Sequence, residues 1–293
     1  MSIDPHKQHS LDVDAYFKRI GYDGSRETTI ETLHQIVGFH TRAIPFENID
    51  VLLERRIFMD PASIEKKLVG GGRGGYCFEQ NTLLQHLLVA LGFDVTPISA
   101  RVRYQKPKGF IPPRSHLCLI VKIDDEDWLA DVGIGGLSLT SAIRLILNDT
   151  QATPHDIRRL VSAGDWTGLG QRAPDAVIYH QVRLGDEWED VAEFTLERMH
   201  AIDVEMANWY TNMHPRSHFR DRLTVARATV DGRLTLINRE FKRRGPDGST
   251  ESRTLTDDAE LLQVLAQEFG ISLPPSTRFQ EPSHGRNASL SIE

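Results

Sequence analysis

Apolar positions along the chain change period, and the change divides it. From residue 11 to residue 91 the spacing is helical. Leu11, Tyr16, Phe17 and Ile20 share one face before residues 21–26 break the pattern. Thr28 or Thr29 is placed to cap a second helix carrying Ile30, Leu33, Ile36 and Val37, which must stop before Pro45. Residues 61–69 read as helix. Leu83, Leu84, Leu87, Leu88 and Leu91 line one side of another helix, with Gly92 as its stop. The pattern predicts an all-helical first region.

After Gly92 a two-residue alternation takes over. Residues 95–102 and 115–123 read as strands, with Leu117, Leu119, Val121 and Ile123 alternating against His116, Cys118 and Ile120. An acidic turn at 124–127 leads into a return strand over 128–133. Residues 177–184 and 188–195 read as further strands, with turns at 153–156, 164–168 and 185–186. A short helix follows at 203–210. Residues 223–230 and 234–241 flank Asp231-Gly232, a hairpin turn. Thr256 or Asp257 caps a last helix through Phe269, closed by Gly270. Residues 280–293 are polar and expected to be disordered.

Composition narrows the class. The chain has 293 residues, enough for one large or two to three small domains, with 40% hydrophobic and 26% charged positions. Two cysteines cannot form a disulfide framework and point to a reducing compartment. Residues 1–10 are polar with no signal-peptide core, and no apolar run approaches a membrane span; a cytoplasmic protein is expected. A net charge of −7 speaks against a nucleic-acid binder.

The chemistry gathers at residues 70–81, where five glycines and Arg73 lead to Cys77 at the start of a helix. The N–H groups and dipole of a first turn favour a thiolate, the nucleophile of cysteine chemistry. Gly70, Gly72 and Gly75 match G-x-G-x-x-G, but a glycine run meets that pattern trivially and a helical segment precedes it, so nucleotide binding is set aside. His116 and Asp131 lie nearly symmetrically about the acidic turn. In an antiparallel hairpin they come close to facing one another, an arrangement that keeps an imidazole basic and oriented. Cys77, His116 and Asp131 then form a set suited to nucleophilic acyl transfer, in the chain order of papain-like folds. His214 and His218 have a zinc-like spacing, but no cysteine pair precedes them and Pro215 intervenes; no metal is expected. Cys118 reads as a buried bystander, or else a redox partner.

At this point the residues resemble the arylamine N-acetyltransferase family. The likeness is carried by residues 73–81 around Cys77, by Ile44-Pro45-Phe46-Glu47-Asn48, and by Pro113-Arg114-Ser115-His116. Residues 131–136, Ala207-Asn208-Trp209-Tyr210 and Ser217-His218-Phe219 extend it. The stretch from about 145 to 181 looks longer than the family's. The resemblance implies an α+β fold with a papain-like core: a helical bundle over 1–92 with Cys77, a β-barrel over 93–202 with His116 and Asp131, and an α/β lid over 203–293. It implies ping-pong acetyl transfer from acetyl-CoA, a co-substrate, to an aromatic amine or hydrazine through an acetyl-cysteine. Phe46, Val102, Ile134 and Phe219 would line the amine pocket, and Ser115 and Gly133 would contact CoA near its thioester. Lys106, Lys108, Arg114, Lys242, Arg243 and Arg244 are further basic positions that could meet its phosphates, or else belong to solvated basic loops. A thiol hydrolase of the same fold, amidase or protease, would use the same three residues, and a binding module with an inert set would keep them without reaction.

Overall fold

The computed structural model describes residues 10–107, 110–162 and 177–279. Lys108, the turn at 164–168 and the tail at 280–293 lie outside them.

The helical periods form where the pattern puts them. Helix α1 (Val13–Ile20) is capped by the Asp12 side chain and ends at Gly21 in the left-handed region; α2 (Ile30–Ala43) is capped by Thr29, whose side chain accepts from Thr32 N. Helix α4 (Pro61–Glu65) runs on as a π-helical turn to Gly70, and α5 (Cys77–Ala90) carries the cysteine in its first turn. Tyr16, Phe17, Leu33, Ile36, Leu84 and Leu87 close this bundle around one core.

The first region is not all-helical. Pro45 ends α2, and Phe46–Glu47 becomes a short strand, β1, followed by one helical turn, α3 (Ile49–Leu52). Strand β1 joins a sheet made otherwise from the last third of the chain. That sheet has the order β1-β10-β11-β12-β13, with Phe46 opposite Ala226 and Glu47 opposite Val225. Its other members are β10 (Thr224–Ala228), β11 (Arg233–Ile237), β12 (Glu240–Arg244) and β13 (Thr250–Thr254). The stretch 234–241 reads as one strand by alternation but turns at Asn238, which adopts φ 51° and lets β12 pair back on β11. Helix α7 (Asp258–Phe269), capped by Asp257 and closed by Gly270, packs Leu261, Val264, Leu265 and Phe269 on this sheet.

Between them lies an eight-stranded antiparallel sheet. Strands β2 (Asp94–Val102), β3 (His116–Ile123) and β4 (Glu126–Ala130) form the expected meander, with β8 (Ile178–Leu184) and β9 (Glu187–Arg198) beside β2. Strands β5 (Ile143–Arg144), β6 (Gln151–Ala152) and β7 (Ile157–Ser162) carry too little alternation to be read from sequence. The sheet curls until its edges β5 and β6 meet, and the Gln151 side chain bonds both the N–H and the C=O of Arg144 across the seam. One carboxylate ties barrel to terminal sheet: Asp156 accepts from Arg158 (2.8 Å), Arg244 (2.8 Å) and Arg233. Burial opposes its charge, but the three guanidiniums hold it well below the ordinary carboxylate range. Helix α6 (Ala201–Met213) and a 3-10 turn at His218–Arg220 lead from the barrel to β10.

Candidate active site

Cys77 is buried where three elements converge: the start of α5, the start of β3 and the loop after β4. The glycine loop reaches it by running alongside β1. Glu47 N donates to Gly75 O (3.0 Å) and Gly75 N donates to Pro45 O (3.3 Å). A Cβ at Gly74 would stand 2.0 Å from Pro45 O, so only glycine allows this approach.

Strand β3 is buried on both faces, because the helical bundle covers one side and the barrel interior lies on the other. His116 is therefore not on a free surface, although it alternates with Leu117 and Leu119. The hairpin turn is only Asp124-Asp125, with Ile123 opposite Glu126 and Leu119 opposite Ala130. Carried one step on, that register sets Asp131 against Cys118. His116 and Asp131 are thus diagonal neighbours, and their side chains close the gap, with Nε2 of His116 2.7 Å from Oδ2 of Asp131. Cys77 is the imidazole's other close side-chain neighbour. Cys77 Sγ also lies 3.6 Å from Ser115 O.

Charge completes the arrangement. Burial alone would drive His116 toward its neutral form. The Asp131 carboxylate and the Cys77 sulfur outweigh it and raise the imidazole to about 10. Burial likewise opposes the Asp131 carboxylate, which His116, Asn81 and the Gly133 N–H hold below its usual range. Both residues are thus charged near neutral pH, which places an imidazolium beside the sulfur. Cys118 is the opposite case. Burial pushes its thiol well up, and its sulfur lies in the core, 4.0 Å from Ile98 O. Among the described residues it has no hydrogen bond to an imidazole and no helix start beneath it to favour a thiolate.

Asn81 was missed by the sequence reading. One turn after Cys77 on α5, its Nδ2 donates to Asp131 Oδ1 (2.9 Å) and Leu117 O (2.6 Å), and its Oδ1 accepts from Val132 N (3.0 Å). Two neighbours are equally committed. Gln80 Nε2 donates to Pro45 O (2.8 Å) and Gly75 O (3.2 Å), and Glu79 accepts from Tyr76 N (3.2 Å) and Lys67 Nζ (2.8 Å). Lys67 also meets Asp50 (2.7 Å), and Arg73 joins Glu47 (2.6 Å) to Asp50 (3.4 Å). The signal was present: Glu79-Gln80-Asn81 puts three polar residues at the head of a helix whose first eight residues are all buried.

The other sequence candidates divide. Phe46 and Phe219 share an apolar cluster with Cys77, Tyr76 and Leu117. Phe219 stands edge-on to Tyr76 with ring centroids 5.8 Å apart. Ile134 packs partly against the neighbouring cluster of Leu137, Val182 and Val191, and Val102 lies at the end of β2 opposite Ala192. Ser115 offers its carbonyl to Cys77, and Gly133 N–H its hydrogen to Asp131. Arg114, Lys242 and Arg243 pair with Glu197, Glu240 and Glu268 at the surface, while Arg244 is held by Asp156. Among the described residues no group of three His, Cys, Asp or Glu side chains could hold a metal ion, and no helix is long and apolar enough to cross a membrane.

A family model described as N-acetyltransferase matches residues 29–278. The arylamine N-acetyltransferase of Escherichia coli is 39% identical over 259 residues, 88% of either chain. The chain belongs to the arylamine N-acetyltransferase family. Two solved members carry the likeness into three dimensions. The M. tuberculosis arylamine N-acetyltransferase aligns with a TM-score of 0.82 at 36% identity, covering 89% of this chain and 94% of that one. The Mycobacterium marinum enzyme, solved in complex with CoA, aligns at 0.81 and 31% identity, covering 89% and 93%. The α+β architecture is that of the family.

Proposed function

We propose that the protein transfers the acetyl group of acetyl-CoA to the nitrogen of arylamines and arylhydrazines through an acetyl-cysteine on Cys77. The observation that carries this reading is the buried line Cys77–His116–Asp131, with the imidazole held charged beside the sulfur. In the first half-reaction the Cys77 thiolate attacks the thioester carbonyl, and the C–S bond to CoA breaks. His116 supplies the proton that CoA's sulfur takes as it leaves. In the second half-reaction the amine nitrogen attacks the acetyl-cysteine. His116 removes its proton, and the intermediate collapses to the amide and the thiolate. Asp131 fixes the ring and stabilises its charged form throughout.

Chemistry assigns the acceptor to the apolar cluster around Phe46 and Phe219, whose rings suit an aryl group and keep water from the acyl-enzyme. In this reading Ile134 and Val102 extend the wall, and Ser115 and Gly133 lie where the thioester end of CoA must come. The glycine suits that place, since without a side chain the loop after β4 can lie directly against the Cys77 backbone. No step uses a metal.

The test is release of CoA thiol from acetyl-CoA, with and without an aromatic amine, for the wild type and Cys77→Ala. Amine-dependent release that disappears in the variant is the expected result. A reactive Cys77 that gives no CoA release with any arylamine or hydrazine, but hydrolyses an amide without CoA, would replace this reading with the thiol hydrolase.

A further inference from the structure

Asn48 occupies the N-cap of α3, where an asparagine ordinarily turns its side chain onto its own helix. Here it does not. The first helical N–H, that of Ile49, is taken instead by Glu47 Oε2 at 2.7 Å. The Asn48 side chain, buried from solvent, runs to a segment 171 residues away. Its Nδ2 donates to Phe219 O (2.8 Å) and to Arg222 O (2.8 Å), and its Oδ1 accepts from Thr224 N (2.8 Å). Both amide hydrogens and the oxygen are therefore committed to one stretch of backbone. That stretch carries Phe219. Its ring lies 6.1 Å from Phe46, two residues before Asn48, so the two rings touch as one continuous wall and do not stand apart as jaws.

We infer that Asn48 is a positioning residue that sets acceptor specificity: it fixes the 219–224 backbone and so keeps Phe219 closed against Phe46. The inference rests on the reading that these two rings line the amine site. It separates Asn48 from its neighbours in a simple way. Glu47 holds the glycine loop through Arg73 and serves the nucleophile; Asn48 holds the opposite wall and serves the amine. Loss of its donors frees Phe219 to swing off Phe46, which weakens small arylamines and admits bulkier ones.

The test uses the full chain as wild type, Asn48→Ala, Asn48→Asp, Phe219→Leu and the Asn48→Ala/Phe219→Leu double variant. Asn48→Asp keeps the shape but cannot donate to the two carbonyls. Three quantities are read: alkylation of Cys77 by iodoacetamide, the amine-free burst of CoA, and KM and kcat for 4-methoxyaniline and 2-aminofluorene. Both Asn48 variants are expected to keep alkylation and burst near wild type. Their KM for 4-methoxyaniline rises about tenfold, the effect of a small misplacement of a binding wall. Preference between the two amines falls, and Phe219→Leu adds little more in the Asn48→Ala background, because one residue acts through the other. Wild-type selectivity in both Asn48 variants, or additive effects in the double variant, would overturn the inference. So would parallel loss of alkylation, burst and amine turnover in Asn48→Asp, which marks a general structural role. A wild-type chain that gives the burst yet acetylates no arylamine would instead overturn the functional reading, and this inference with it.

Discussion

Asn81 and Asp131 are joined across 50 residues by a 2.9 Å hydrogen bond, and that bond anchors the carboxylate to the helix that carries Cys77. Because Asn81 follows Cys77 by one turn, the distance between sulfur and carboxylate is set by a rigid element. Asn81→Ala would strip Asp131 Oδ1, Leu117 O and Val132 N of a partner at once. A buried group left unpaired costs roughly 1–3 kcal/mol, and urea unfolding should register a loss in that range or above it. Alkylation of Cys77 at neutral pH should fall too. Each unit by which the His116 pKa drops is a factor of about ten in its charged-to-neutral ratio.

The pH behaviour follows from two shifts of opposite sign. His116 is raised from 6.5 to about 10, so its contribution to stability is complete below 6.5 and is lost as pH rises through about 10. Asp131 is lowered from 3.8, so its contribution holds above that value and is lost as pH falls further. Asp131→Asn removes both. The stability gap between wild type and this variant should be widest between 3.8 and 6.5 and narrow on either side. Ring-nitrogen NMR shifts should report a charged His116 at pH 8 in the wild type and a neutral one in Asp131→Asn. A neutral wild-type ring at that pH would contradict the account.

Gly133 tolerates no side chain. A Cβ there would stand 2.7 Å from the Cys77 Cα and 2.7 Å from Asn81 Nδ2. Backbone cannot give way as a flexible side chain would, so Gly133→Ala must push the loop after β4 away from α5. The expected cost is about 1–3 kcal/mol in thermal unfolding. A larger loss is expected in the first half-reaction, because Asp131 sits on the displaced loop.

Lys67 lies between Asp50 and Glu79, and Glu79 is deeply buried. Burial raises the Glu79 carboxyl above its ordinary value even with the ammonium beside it. Lys67→Met leaves that carboxyl without its cation and should cost about 3–5 kcal/mol. Adding Glu79→Gln should restore part of it, since the neutral amide can remain buried. A double variant no more stable than Lys67→Met would show that the ammonium acts elsewhere.

The legible part of this protein was what repeats. Helical period gave α1, α2, α5 and α7, and Gly21, Thr29, Asp257 and Gly270 marked ends of α1, α2 and α7 because they act locally. Two-residue alternation gave the hairpin that brings His116 toward Asp131. What stayed hidden depends on contacts distant in sequence. Nothing near Phe46 announces a strand, since its partner is Ala226 and two residues hold no period. Strands β5 to β7 are short edges and seam pieces, set by barrel closure more than by their own side chains. At the site, the reactive residues were visible as chemical types. The partners of Asn81, Glu79, Lys67 and Asn48 were not, because a polar residue's place in the sequence does not show what the fold will set around it.

The pairing of Phe46 with Ala226 also orders events in time. The ribosome makes Cys77, His116 and Asp131 well before Thr224–Ala228, the strand that β1 must meet. Until that strand emerges, Phe46 lacks its sheet partner and Asn48 its distant backbone. Bringing such remote segments together is slow compared with local folding. The nascent chain therefore carries Cys77, His116 and Asp131 before the strand that completes the sheet around Phe46.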